Sequence, residues 1–491
     1  MADKVIQERE MVEKGQKITL EITDMSDLGQ GIGRTDGLAV FVDGAVKGDK
    51  AEAEITKVKK RYAIAEMTSL IEPSKHRIEA ECPYFAECGG CSLSGVDYEG
   101  QLELKEEQLR QKLIRLGGIE DPVIEKIAAM ECESKAGPVR FRNKAVLSIG
   151  PGGKVGFVQA KTNRVYDCSE CLIQTDAAMA AAEALRRFLA EEQITVWNPK
   201  KGKGLMRQMI VKTAFGSGEV MVVLVINGKE IPGIEKLVGY LDDSIYEAGY
   251  SLESVILNIN KDKNGPAMGD KCITVAGKNT IIDKAGGLKF EISPRSFYQT
   301  NPAQMITLYD KAREFAGLTG NETILDLYCG TGTIGLWCVD KAGFVIGIES
   351  EKQAILDANR NAVINGITNA AYICGKAEVE LKKIIERKTP EHESKDGPDF
   401  KTQLAERARN ATVAFVDPPR AGCDPALLDA IADSAVERIV YVSCDPATLA
   451  RDIKILTGKG FRFIKAAPVD MFPRSTHCEV VVSMSRGGSR L

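Results

Sequence analysis

The chain has 491 residues, of which 44% are hydrophobic and 27% charged, and its net charge is −4. That balance excludes a disordered or fibrous chain, and the length suggests roughly three domains at about 150 residues each. Thirteen cysteines beside only three histidines (His76, His392 and His477) point to thiol or metal chemistry and away from a histidine-based catalytic apparatus. The opening MADKVIQERE lacks the apolar segment of a signal peptide. The densest apolar run, Val220–Ile226, is far short of a membrane span, so a cytoplasmic protein with no membrane partner is expected. Thiols stay reduced there, which disfavours a disulfide framework.

Residues 12–71 read as a small β domain. Ala51, Ala53 and Ile55 alternate with Glu52, Glu54 and Thr56, the period of a half-buried strand, and glycines punctuate the connections. Five short strands in this span suit an OB-like barrel, a common nucleic-acid platform. Residues 72–92 carry a cysteine cluster. Residues 97–116 predict an amphipathic helix with Leu102, Leu109, Leu113 and Leu116 on one stripe and Gly117-Gly118 as its stop. Residues 120–290 are mostly strand-like.

Charge is segregated along this region. Ser134–Arg164 holds Lys135, Arg140, Arg142, Lys144, Lys154, Lys161 and Arg164 without an acid. Trp197–Lys212 holds Lys200, Lys201, Lys203, Arg207 and Lys212, again without an acid. Such stretches in an acidic protein favour a phosphate-binding surface over a merely solvated face. From about Glu291 strands and helices alternate, which predicts a parallel sheet. Residues 386–410 interrupt the rhythm and read as an inserted polar surface loop.

Several motifs in the last third carry chemistry. Thr323–Gly335 is a strand, a glycine turn and a helix start; Gly330, Gly332 and Gly335 match G-x-G-x-x-G, and Glu349 ends the next strand at the spacing of a ribose-binding acid. The motif alone does not separate NAD from S-adenosylmethionine. Asp417-Pro-Pro-Arg420 ends a strand and leaves Asp417 at the carboxyl edge, where ligands bind. Arg420 stands where amino-methyltransferases place an aromatic, which disfavours methylation of an exocyclic amine. Cys444, in Ser443-Cys-Asp-Pro446, ends the next strand at the same edge. A thiolate added to carbon 6 of a pyrimidine makes carbon 5 nucleophilic, a specific use for a cysteine beside a methyl donor. Glu479 opens the last strand; in a terminal hairpin it returns to that edge and can take the carbon-5 proton.

Cys82-x5-Cys88-Gly-Gly-Cys91 and Cys168-x2-Cys171 leave two readings open. Zinc would use Cys88, Cys91, Cys168 and Cys171, whereas an iron–sulfur cluster would use the three-cysteine group plus one distant thiol.

Together these motifs resemble the RNA 5-methyluridine methyltransferase family, specifically its bacterial 23S ribosomal RNA branch with an N-terminal TRAM domain and a 4Fe–4S cluster. The resemblance rests on the glycine-rich start, the C-x5-C-G-G-C group, Ser296-Phe-Tyr-Gln-Thr-Asn301, Asp417–Arg420 and Ser443–Pro446. It implies an α/β protein with a TRAM barrel (12–71), a central β-rich domain (72–290) and a Rossmann-like S-adenosylmethionine-dependent methyltransferase domain (291–491). It implies Cys444 as nucleophile, Glu479 as base, and Gln299, Tyr328, Glu349 and Asp417 around S-adenosylmethionine and uracil. It assigns Cys82, Cys88, Cys91 and Cys171 to the 4Fe–4S cluster. The implied partner is 23S ribosomal RNA, bound by a monomer. A transfer-RNA enzyme of the same class is the nearest alternative, and a non-catalytic RNA-binding protein is the alternative from another class.

Overall fold

Alternation of Ala51, Ala53 and Ile55 with charged neighbours makes Lys50–Val58 a strand whose apolar face is fully buried. The computed structural model describes residues 12–263, 266–386 and 400–486. The chain divides into two compact units.

The first unit runs through Glu107 and takes in Glu131–Pro138 and Phe472–His477. Its N-terminal part is a six-stranded sheet rather than the five strands expected. The spatial order is Lys17–Glu21, Lys50–Val58, Tyr62–Glu72, Leu38–Asp43, Gly31–Thr35, Asp24–Met25. Val40, Val42, Ala53, Ile55, Ala63 and Ala65 fill its core. Asp49 ties the Val46–Asp49 turn to the segment that follows the barrel. Its carboxylate accepts from the N–H of Val46 (2.7 Å) and of Ser74 (2.9 Å), and from Arg77 Nε (3.0 Å).

The predicted helix forms over Tyr98–Arg115, but its buried stripe differs from the one expected. Gln101, Leu104, Lys105, Leu109 and Leu113 are buried, whereas Leu116 is 47% exposed. The polar Gln101 belongs to the stripe because Nε2 donates to Val96 O and Ala136 O, both at 2.8 Å. Its Oε1 accepts from the N–H of Arg474 at 2.8 Å. Arg474 is itself buried: Nε donates to Pro138 O (3.0 Å) and Nη2 to Gly137 O (2.7 Å) and Glu81 Oε2 (3.1 Å).

The second unit contains two seven-stranded sheets. The first spans Lys144–Gly150 to Lys271–Gly277, and its core joins Met209, Val211, Val222 and Leu224 to two helices, Asp176–Glu192 and Ile234–Glu247. The expectation of a mostly strand-like 120–290 missed these helices. The first follows directly from the alanine-rich Asp176–Glu192, whose N-cap Thr175 accepts from the N–H of Ala178.

The second sheet consists of β1 (Thr323–Leu327), β2 (Phe344–Glu349), β3 (Ala370–Cys374), β4 (Val413–Val416), β5 (Arg438–Ser443), β6 (Phe461–Val469) and β7 (Glu479–Arg486). Their spatial order is β3-β2-β1-β4-β5-β7-β6, with β7 antiparallel to both neighbours. Strands buried on both faces account for runs such as Ile439–Val442. The inserted loop expected at 386–410 is corrected in part. Phe400–Arg409 is a helix, and Ala405 and Ala408, three residues apart, are buried; residues 387–399 lie outside the described residues.

Candidate active site

Three residues reach one edge of the β1–β7 sheet by different routes. β4 ends beside Leu327, and Asp417 follows, its N–H donating to Leu327 O at 3.3 Å. Cys444 follows the end of β5. β7 runs the other way, so it starts where β5 stops: Val480 pairs with Ser443, and Glu479 with Val469. Asp445 caps the helix Pro446–Gly458, accepting from the N–H of Ala447 (2.9 Å) and Thr448 (3.1 Å), which fixes the chain just after Cys444. The loop after Asp417 is stapled to that helix. Thr448 Oγ1 donates to Arg420 O (3.2 Å), Arg451 Nη2 to Ala421 O (3.0 Å), and the Cys423 N–H to Asp452 (2.8 Å).

The electrostatics join these groups. Burial pushes Glu479 up to about 8, the Asp417 charge adds to the rise, and Arg420 opposes it. Burial also raises Asp417 to about 7. The half-buried Cys444 thiol is pushed up to about 11, first by burial and then by Glu479 and Asp417, again against Arg420. Arg420 is thus the counter-charge of the group, a role that the sequence signalled only as a missing aromatic. Two other thiols nearby, Cys329 and Cys423, are 7% and 3% exposed, and burial raises both. Of these three thiols Cys444 is the most accessible.

The glycine turn adjoins the end of β1. Tyr328 takes a left-handed conformation (φ 62°), and its hydroxyl accepts from the Asp424 N–H at 3.4 Å. At Gly330 nothing lies within 4 Å of where a Cβ would stand, so the backbone is open to a ligand. The Gly330 N–H donates to Glu349 Oε2 at 3.3 Å. A Cβ at Gly335 would lie 2.7 Å from Val345 Cγ1, the close helix–strand packing that such a turn needs. Two further residues escaped the sequence reading. Asp326, an acid within an apolar strand, accepts from the Gly335 N–H at 3.0 Å and is raised to about 7 by burial. Tyr309 is buried, and its hydroxyl pairs with Thr333 Oγ1 at 2.9 Å and with the Gln299 side chain. Gln299 is in turn held by Asn143 Nδ2, which donates to its backbone oxygen at 2.9 Å.

The four cysteines implied as cluster ligands are half-buried and not in disulfides. Cys82, Cys88 and Cys91 belong to the first unit and Cys171 to the second. Gly89 in the left-handed region ends the short helix Phe85–Cys88 and turns the chain toward Cys91. Thiol donors suit an iron–sulfur cluster, but no group of three or more His, Cys, Asp or Glu that could hold a metal forms among the described residues.

The two basic stretches prove unequal in solvent. Arg140 pairs with Asp176 at 2.8 Å and donates to Cys171 O at 2.6 Å. Arg207 donates to Asn260 O and Asp262 O, both at 2.7 Å, and Lys212 is buried. Lys135, Lys154, Lys161, Arg164, Lys200, Lys201 and Lys203 are the exposed cations of these stretches.

A seven-stranded sheet of this order, with a nucleoside-type glycine turn and a thiol–carboxylate group on one edge, defines an S-adenosylmethionine-dependent methyltransferase fold. The family described as tRNA (Uracil-5-)-methyltransferase matches residues 274–487, and the TRAM domain matches residues 11–68. An RNA methyltransferase of Caldanaerobacter subterraneus subsp. tengcongensis is 42% identical over 478 residues, covering 97% of this chain and 99% of that protein. One from Clostridium tetani is 38% identical over 482 residues, covering 98% of each. The crystal structure of Pyrococcus abyssi tRNA (uracil-54, C5)-methyltransferase with S-adenosyl-L-homocysteine is similar at a TM-score of 0.72 and 27% identity, covering 95% of this chain and 100% of that one. The chain belongs to the family of these RNA methyltransferases and carries an N-terminal TRAM domain, with residues 274–487 matching the tRNA (uracil-5-)-methyltransferase model.

Proposed function

We propose that the protein methylates carbon 5 of a uridine in 23S ribosomal RNA through a covalent bond between Cys444 and carbon 6 of the uracil. The observation that carries this reading is the placement of Cys444, Glu479 and Asp417 on one sheet edge, where Asp417 raises Glu479 and both carboxyls raise Cys444. Addition of the thiolate to carbon 6 makes carbon 5 nucleophilic toward the methyl group of S-adenosylmethionine. Glu479 then takes the carbon-5 proton, and elimination restores the Cys444 thiolate. The Gly330 turn and Glu349 bind the nucleoside part of the donor, and Tyr328, Asp417 and Gln299 line the pocket. Burial holds Cys444, Glu479 and Asp417 against ionising, and Arg420 opposes that at Cys444 and Glu479. A positive charge brought to this edge favours their ionised forms, so donor binding activates the thiol.

The two catalytic residues act on opposite sides of methyl transfer. Cys444→Ala should bind donor and RNA, transfer no methyl group and form no adduct. Glu479→Gln should transfer the methyl group and then stall as an RNA–protein adduct that survives denaturing electrophoresis. An adduct with Cys444→Ala, or rapid turnover by Glu479→Gln, overturns these roles. The family name and the likeness to the Pyrococcus abyssi enzyme favour a second reading, with transfer RNA as substrate. Mapping 5-methyluridine in both RNAs from a deletion strain decides between them.

Cys82, Cys88, Cys91 and Cys171 hold a 4Fe–4S cluster in this proposal, with a structural or RNA-positioning role. Anaerobically purified protein should be brown and carry about four irons per chain. Colourless protein with bound zinc would overturn this assignment. The enzyme works as a monomer in the cytoplasm; no helix is long and apolar enough to cross a membrane among the described residues.

A further inference from the structure

The first unit carries an open cavity of about 270 Å³ that the reaction above does not use. Its floor is apolar, formed by Met25, Val46, Val96 and Leu104, all buried. Its rim is charged: Lys47 and Lys75 are exposed, and the Glu103 carboxylate lies 4.0 Å from Lys75 Nζ. The walls are rigid. Asp49 clamps the Val46 turn to Ser74 and Arg77, and the His76 ring is bracketed by Asp97 (2.9 Å) and Glu103 (3.1 Å).

We propose that this cavity receives one base of the RNA substrate, turned out of its stack. The inference deepens the RNA-methyltransferase reading and rests on it. An apolar floor rejects phosphate and ribose hydroxyls but accepts the flat face of a base, and the Met25 thioether is a favourable neighbour for such a ring. Lys47 and Lys75 supply cations to the phosphates on either side of the extruded nucleotide. The Glu103 carboxylate can accept from an exocyclic amine, which favours a base bearing an amino group over uracil. Because the walls are already fixed, entry of the base orders little of the protein. The cavity would grip the RNA at a nucleotide other than the one methylated, and so set which loop is recognised.

The test titrates the full-length wild-type protein and two variants with unmodified 23S ribosomal RNA transcript, with transfer-RNA transcript, and with CMP and UMP. Val46→Phe fills the floor and leaves every charge in place; the double variant Lys47→Ala/Lys75→Ala alters only exposed side chains. Both should weaken binding to the preferred transcript about tenfold, with S-adenosylmethionine affinity unchanged and CMP bound better than UMP by the wild type. Wild-type transcript affinity in Val46→Phe overturns the proposal. Should that variant misfold, unchanged affinity in the double lysine variant overturns it instead. Loss of CMP binding alone, with transcript affinity intact, would make this a site for free nucleotides and likewise overturns it. If no uridine of either RNA proves to be methylated, the functional reading fails separately, because the titrations read the cavity without turnover.

Discussion

Glu479 and Asp417 are carboxyls that burial holds above their usual range, and the sign of that shift has consequences. A carboxyl whose folded pKa is raised binds more protons in the folded than in the unfolded chain between the two values. Its contribution to stability is complete below the unfolded value and is lost as pH rises through the folded one. For Glu479 the window runs from 4.5 to about 8. The thermal midpoint of the wild type should therefore fall across that window. Glu479→Gln carries no ionisable carboxyl, so its midpoint at the alkaline end should lie roughly 2–4 °C above the wild type. Parallel melting profiles for the two proteins would contradict this. In the role of base proposed above, Glu479 must be ionised to accept a proton, so turnover should climb as pH rises toward 8 while stability declines.

The helix Pro302–Ala316 shows how an element sets the site. Asn301 caps it: Oδ1 accepts from the Gln304 N–H at 3.3 Å, while Nδ2 donates to Met471 O at 3.1 Å. Gln299 precedes the cap and Tyr309 lies within the helix, so a loosened start displaces both. Asn301→Ala should cost about 2 kcal/mol in urea denaturation and raise the KM for S-adenosylmethionine. Asn301→Ser, which keeps the cap, should recover part of the stability. If Asn301→Ala matches the wild type in both measurements, the cap does not position the site. Most strands of this domain are legible as short apolar runs followed within a few residues by Gly, Pro or Asp, whereas β2 ends at Glu349 and is followed by Ser350 and Glu351. Glu479 was legible only by supposing a terminal hairpin. Asp326, Tyr309 and Arg420 were not read as site residues, because their roles come from packing against residues distant in the chain. The helix Asp176–Glu192 is legible in its alanine period, since Ala177, Ala178, Ala181, Ala182 and Ala184 are among the residues it buries.

Across the second unit, charge is divided between architecture and solvent. Arg140, Arg207 and Lys212 hold carbonyls in place, whereas Lys200, Lys201 and Lys203 lie exposed on one loop. Removing the three loop lysines should weaken RNA binding and flatten its dependence on salt by about two in the log–log slope, as three fewer phosphates are neutralised. Arg140→Ala should instead lower the melting temperature and leave that slope nearly unchanged. A slope unmoved by the triple change would assign this loop to solvent alone.

Arg474 brings a consequence of a different kind. It is buried among Glu81, Gln101, Gly137 and Pro138, yet it lies near the far end of the chain. The unit that starts first during translation is therefore the one that must wait. Until residue 474 leaves the exit tunnel, the carbonyls of Gly137 and Pro138 lack their cation and Gln101 lacks its donor. The same closure means that no cut in the gene, however placed, releases the first unit intact as a single continuous segment.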